Sequence, residues 1–253
     1  MKLACITGAS SGIGREFARQ LSNQGYDLIL VARSKDKLEQ IAKKCRTRAE
    51  VIAADLSKEE ACREIAERMK ERELTLFINN AGFGNIGLFE SCDLDRDLEM
   101  IDVNVRAVHI LTHEILEQMK ARNKGTILNT ASVAGLMPGG PLMATYYATK
   151  AYVVSITNAI AAELKESGSL VRIAALCPGP VDTDFNDVAG VQFSLPGISA
   201  RNCVMTALKE LKKGRIIIVP GLIVKAGSVL AKILPRALVM RVLMKGQNKK
   251  IEG

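Results

Sequence analysis

Seven short runs of apolar residues, separated by longer segments with a polar face, are the feature that most narrows what this chain can fold into. The runs occupy residues 3–6, 28–31, 51–53, 76–78, 126–128, 171–176 and 216–219. Between them, stretches such as 36–45 and 59–71 repeat charge every three or four residues, the period of a helix with one wet side. A strand that is apolar without alternation is buried on both faces, as in a parallel sheet covered by helices above and below. The pattern predicts a doubly wound α/β architecture: a parallel seven-stranded sheet with six crossovers. No repeat or low-complexity linker interrupts the 253 residues. Residues 1–253 are therefore expected to form a single domain, with 221–245 as a helical extension.

The first run leads straight into Thr7-Gly8-Ala9-Ser10-Ser11-Gly12-Ile13-Gly14, and a helix is predicted from about residue 15. Gly8 permits the tight turn, Gly12 lets the backbone approach a pyrophosphate, and Gly14 lets helix and sheet pack closely. The unpaired N–H groups and positive end of the helix then face the anion. Placed after the first strand of a Rossmann-like alternation, the loop points to a bound dinucleotide. The second run ends in Ala32-Arg33-Ser34, with a guanidinium where a carboxylate would otherwise hold the ribose hydroxyls. Arg33 can pair with a 2′-phosphate, and Ser10, Ser11 and Ser34 can add hydroxyl donors, so NADP(H) is expected over NAD(H).

Tyr146 and Lys150 are four residues apart on a helix predicted over 144–166, and so share a face. An ammonium beside a phenol favours phenolate, and the tyrosine pKa is expected to fall below its ordinary value near 10. Tyr147 stands about 100° away around the helix, and neither it nor Tyr152 has a lysine four residues on. Ser132 follows the fifth run, at the end of the sheet where such folds bind ligands. His109 and His113 share a face of a helix predicted over 97–119, but lack the glutamate of a metal-binding H-E-x-x-H. No metal site is expected.

The spacing of T-G-A-S-S-G-I-G, followed in order by Asn79-Asn80-Ala81-Gly82, Asn104, Ser132, Tyr146-x-x-x-Lys150 and Pro178-Gly179-x-Val181-x-Thr183, resembles the short-chain dehydrogenase/reductase family in its compact form. The motifs span roughly residues 3–184. The resemblance implies hydride transfer between a nicotinamide and a carbonyl carbon. Tyr146 would supply the proton, Ser132 would orient the oxygen, and Lys150 would grip the ribose. Asn104 would help hold a water that relays protons through Lys150. It also implies cofactor contacts at Gly8, Ser10, Ser11, Gly12, Ile13, Gly14, Arg33, Asn80, Ala81, Gly82, Tyr146, Lys150, Pro178, Gly179, Val181 and Thr183, with Asp55 and Leu56 at the adenine edge. Thr149 stands where the commonest family form has serine, which keeps a hydroxyl.

Composition bounds the partners. Six scattered cysteines without a C-x-x-C pair suit a reduced, cytoplasmic setting, and the opening apolar run is too short for a signal peptide. The first 200 residues carry 23 Lys/Arg against 25 Asp/Glu, whereas residues 201–253 carry 12 against 2. That basic segment has no aromatic residue on which a base could stack, so nucleic acid is not expected as a partner. The segments 136–143 and 185–198 are rich in Met, Leu, Phe and Val and are expected to wall a site for a hydrophobic ketone, acyl or steroid-like. The tail 221–244 is broken by Pro235 and too often charged to span a bilayer. Lys225, Lys232 and Arg236 fall within about 40° on a helical wheel. The tail can pack on its own domain or a sister subunit, cover the substrate mouth, or make peripheral contact with an anionic membrane. A homodimer or homotetramer is expected. The alternative to an enzyme is a non-catalytic nucleotide-sensing or membrane-docking protein on the same fold.

Overall fold

A computed structural model describes residues 2–182 and 197–251, the side chains of 249–251 excepted. Its main sheet contains β1 (Lys2–Thr7), β2 (Tyr26–Ala32), β3 (Ala49–Ala53), β4 (Leu74–Asn79), β5 (Thr126–Thr130), β6 (Arg172–Leu176) and the edge strand β9 (Ile217–Ile218). All neighbours are parallel, in the order β3-β2-β1-β4-β5-β6-β9. The seven strands expected from the apolar runs are thus present, and a small second pair, β7 (Val181–Asp182) with β8 (Ile198–Ser199), lies beside them. The last strand, at the edge beside β6, is only two residues long.

The reason the runs are unbroken in apolarity is visible in the packing. Ala4, Ile6, Leu28, Leu30, Leu76, Ile78 and Leu128 point to one face, where α1 (Gly12–Asn23) and α7 (Ala200–Lys212) bury Phe17, Leu21, Cys203 and Val204. Their neighbours Cys5, Ile29, Val31, Phe77 and Ile127 point to the other. There α3 (Glu59–Met69) and α5 (Val108–Ala121) supply Ile65, Met69, Leu111 and Ile115. Both sides of each strand are core, so alternation has no selective place. The shorter helix α2 (Lys35–Ala42) buries only Leu38. All six cysteines are free thiols.

The helix expected over 97–119 is present but is not α-helical throughout. Asp93 caps α4 (Leu94–Ile101), its carboxylate accepting from the N–H groups of Asp95 at 2.9 Å and Arg96 at 3.4 Å, which starts the helix earlier. A π-helical stretch, Asp102–Ala107, then widens the coil before α5 begins. A 3₁₀ turn at Val133–Leu136 precedes the long helix α6 (Ala144–Glu166). Across the buried centre, the Asn79 side-chain amide donates to Thr112 Oγ1 and Asn129 Oδ1, both at 3.0 Å, and Asn129 donates to Thr157 Oγ1 at 3.0 Å. This chain joins β4, α5, β5 and α6 in one polar network, so the strand ends that carry the loops are held in register.

After β9 the chain forms two helices, α8 (Leu222–Ile233) and α9 (Arg236–Ile251), separated at Leu234–Pro235. Pro235 precedes the first turn of α9. Among the described residues no helix is long and apolar enough to cross a membrane.

Candidate active site

The chain order reverses between β1 and β4: β2 and β3 lie to one side of β1, the later strands to the other. A cavity of about 640 Å³ opens at the carboxyl ends of the strands there. At one end is the glycine loop. Gly8 (φ +63°) and Gly12 (φ +49°) occupy the left-handed region, and a Cβ on Gly8 would stand 2.8 Å from the Ala81 Cα. The Asn80 side-chain amide donates to the Thr7 and Gly8 carbonyls at 3.2 and 3.3 Å, and its Oδ1 accepts from Thr130 Oγ1 at 3.3 Å. One asparagine thereby ties the loops after β1, β4 and β5 together. Ser11 begins α1 without a side-chain cap, and no acid occupies the first turn. The helix N-terminus is left available to an anion, and the cradle fits a dinucleotide pyrophosphate.

Gly8, Ser10, Ser11, Gly12, Ile13, Arg33, Asp55, Leu56, Asn80, Ala81, Gly82, Pro178, Gly179 and Val181 all line the cavity, as the sequence led us to expect of cofactor contacts. Gly14 does not. It lies behind the loop, where a Cβ would strike the Gly8 carbonyl, so its contribution is packing. Thr183 lies outside the described residues, as does most of the segment 185–198. At the rim, the Arg33 guanidinium stands 3.1 Å from the Glu99 carboxylate, which also takes Arg96 at 2.9 Å. Arg96 in turn lies over the Phe83 ring, 4.1 Å from its centroid.

The other end is built from α6 and the turn after β5. Ser132 Oγ accepts from the Ala134 N–H at 3.1 Å and is hydrogen-bonded to the Tyr146 hydroxyl. Lys150 Nζ donates to the Thr130 carbonyl at 3.0 Å and lies 5.8 Å from the Tyr146 ring centroid. All three side chains are buried. The electrostatics reverse the expectation for the phenol. Burial pushes Tyr146 up to about 12, with the Ser132 hydrogen bond working against it, while burial pushes Lys150 down to about 8. The ammonium is spent on a strand carbonyl, and the loss of water around the phenol decides the direction. At neutral pH the phenol is protonated and the ammonium mostly charged.

Asn104 sits in the π-helical stretch and is fully buried. Its amide donates to the Phe83 carbonyl at 2.9 Å and to Thr149 Oγ1 at 3.2 Å, and its Oδ1 accepts from the Phe83 N–H at 3.1 Å. It lies behind the cavity wall and fastens the loop after β4 to α6. That makes it a positioning residue rather than one that meets substrate. Gly82 is the point where the two groups converge: a Cβ there would come within 2.8 Å of Asn104 Oδ1 and 3.1 Å of Lys150 Nζ. The Thr149 hydroxyl also donates to the Tyr146 carbonyl at 2.8 Å, a use that serine could equally fill.

Several lining residues are ones that sequence reasoning missed. Of 136–143 only Met143 reaches the cavity, whereas Phe83, Tyr147 and, from α9, Val242, Leu243, Gly246 and Gln247 do. Gln247 Nε2 donates to the Tyr147 hydroxyl at 3.0 Å, across a hundred residues of chain. The spacing of Val239, Leu243 and Gln247 by four was the available signal for the inner face of α9, but nothing local said what that face covers. His109 Nδ1 instead meets the Tyr152 hydroxyl at 2.6 Å, and no metal-binding cluster occurs among the described residues.

A model of the family described as short chain dehydrogenase matches residues 2–191. The chicken (Gallus gallus) hydroxysteroid dehydrogenase-like protein 1 is 33% identical over 176 residues, covering 67% of this chain and 53% of that one. A very-long-chain 3-oxoacyl-CoA reductase from Anas platyrhynchos is 32% identical over 202 residues, covering 76% and 64%. The match thus spans about half the length of the first relative and just under two thirds of the second. Among solved structures, a short-chain dehydrogenase from Sphingobium yanoikuyae in complex with NADPH superposes with a TM-score of 0.82 at 29% identity, covering 88% of each chain. One from Burkholderia phymatum in complex with NAD gives 0.82 at 26%, covering 90% of this chain and 92% of that one. The order of strands, the glycine cradle at the sheet's reversal and the family match agree: this chain belongs to the short-chain dehydrogenase/reductase family of oxidoreductases.

Proposed function

We propose that this oxidoreductase uses NADPH to reduce the carbonyl of a hydrophobic substrate, acyl or steroid-like, to the alcohol, and runs in reverse as an alcohol dehydrogenase. One observation carries the reading: a buried, protonated phenol, hydrogen-bonded to Ser132, stands in the same cavity as a phosphate cradle. Bound nicotinamide supplies the hydride and its electron pair to the carbonyl carbon. The rest falls to the chain's own groups. Ser132 holds the carbonyl oxygen beside Tyr146, and Tyr146 donates its proton to that oxygen as charge develops. A phenol that stays protonated well above neutral pH is in the state a reductive step requires. Lys150 places a positive charge behind the phenol as it loses its proton. Asn104 keeps the Gly82–Phe83 loop and α6 in register around them.

The cavity walls support a greasy substrate, since Phe83 and Met143 pack beside Tyr146 and Val242 and Leu243 add apolar surface to the same cavity. The two vertebrate relatives carry the names hydroxysteroid dehydrogenase-like protein and very-long-chain 3-oxoacyl-CoA reductase, which support the same direction. Arg33, with Ser34 and Lys37 on the same rim, supports a 2′-phosphate and hence NADPH. Leu94, Leu98 and Ile101 are exposed along one face of α4, which supports a homodimer or homotetramer; light scattering that shows a monomer would refute it.

The test is NADPH consumption with a panel of long-chain acyl, steroid and small ketones. Tyr146→Phe should lower kcat by roughly 10²–10⁴, about 3–5 kcal/mol of barrier, while NADPH affinity is retained. Full turnover by that variant would overturn the assignment, and silence across the panel with tight NADPH binding would favour a nucleotide sensor.

A further inference from the structure

We infer that the α8–α9 pair is a docking surface for an anionic lipid bilayer, with α8 lying in the interface. The outer side of α8 is apolar and bare: Leu222 and Ile223 are each 86% exposed, Ile233 76%, Leu230 54% and Val229 53%. At 100° per residue these five fall within an arc of about 120°. The opposite side is turned to the body, where Ser228 is buried and Val224 packs so closely on Gly179 that a Cβ there would stand 2.8 Å from its Cγ2. The apolar arc is therefore not core turned outward by a loose fit. The helix has a committed inner side and an uncommitted greasy one.

Charge selects the occupant. Residues 211–251 carry ten Lys/Arg and no Asp or Glu. Lys225 and Lys232 stand together along one edge of the apolar arc, and Arg241 and Lys245 share the outer side of α9 with exposed Leu238, while Val242 stands where that side meets the cavity. An apolar stripe bordered by lysine and arginine is the pattern of a helix lying in a head-group layer, where each cation adds attraction to anionic lipid. A second copy of the chain fits less well, because a two-fold contact through this face would set the basic edge against itself. The inner side of α9 lines the cavity with Leu243, Gly246 and Gln247. Docking would accordingly set the cavity mouth against the bilayer, where a lipid-like ketone partitions. That last step rests on the proposed function, whereas the docking does not.

The experiment is sedimentation of the full chain with vesicles of phosphatidylglycerol and phosphatidylcholine, compared with phosphatidylcholine alone. The protein should pellet with the anionic vesicles and stay in solution with the neutral ones. The double variant Leu222→Asp, Ile233→Asp should bind at least tenfold more weakly, with unchanged circular dichroism and unchanged NADPH affinity. Wild-type protein that remains in solution with anionic vesicles would overturn the inference, as would a variant that binds as tightly as wild type. A dimer that the variant dissociates, without any vesicle binding, would assign the face to a second copy instead. Vesicle binding without ketone turnover would refute the proposed function and leave the docking intact.

Discussion

Lys150 presents the site's largest electrostatic cost, and the cost can be measured. Its ammonium is 3% exposed and has one carbonyl acceptor at 3.0 Å, from Thr130. Burial lowers its pKa from 10.5 to about 8. Between those values the unfolded chain holds a proton that the folded one has released, so stability due to this group rises with pH across that window. Below pH 8 both states are charged and the folded state bears the full desolvation penalty. The difference between the two pKa values corresponds to about 3 kcal/mol. Lys150→Met removes the titration. The stability advantage of the variant over wild type should therefore shrink by about 3 kcal/mol between pH 7 and pH 10.5, as wild type sheds the charge. Urea unfolding of both proteins across that range is the assay, and taking the difference cancels the titrating groups that do not interact with Lys150; Cys177, which does, is replaced by alanine in both proteins. An offset that stays constant with pH would refute the argument, because Lys150 would then titrate alike in both states. The same variant should lose turnover, so a group that opposes folding would be kept for chemistry.

Two further substitutions test the cofactor end. Gly8→Ala forces an alanine to φ +63° and sets its Cβ 2.8 Å from the Ala81 Cα, so dinucleotide affinity should fall at least tenfold, read by calorimetric titration. Unchanged affinity would mean that the cradle is not used. Arg33→Ala should weaken NADPH about tenfold or more and leave NADH nearly unchanged, given about 1.5–3 kcal/mol for a charged hydrogen bond. Equal losses for both cofactors would remove the case for a 2′-phosphate contact.

How much of this was legible beforehand follows from how far apart the cooperating residues lie. The glycine loop could be read because its work is done within eight consecutive residues. Tyr146 and Lys150 could be paired because the helical period alone puts them on one side of α6. The change of coil after Ile101 could not, since a π-helical stretch alters the winding by about a single residue per turn and leaves the apolar pattern almost unaltered. The angle between Tyr147 and Tyr146 on the helical wheel does not keep Tyr147 from the cavity, which is broad enough to touch both, with ring centroids 6.4 Å apart.

By itself the sequence determined the layers, because a run apolar on both sides has nowhere to go but the middle of a covered parallel sheet; the order of the strands came from the tertiary structure. The sequence likewise marked the loop whose glycines form the cradle and the phenol that has a lysine beside it. Only the tertiary structure decided which way that phenol's pKa moves, because desolvation depends on everything packed around a group and not on its neighbour four residues away. It alone decided that α9 lines the cavity, with a contact between Tyr147 and Gln247 that no local period encodes. It decided too which side of α8 is left bare, since exposure is what remains after every other element has taken its place.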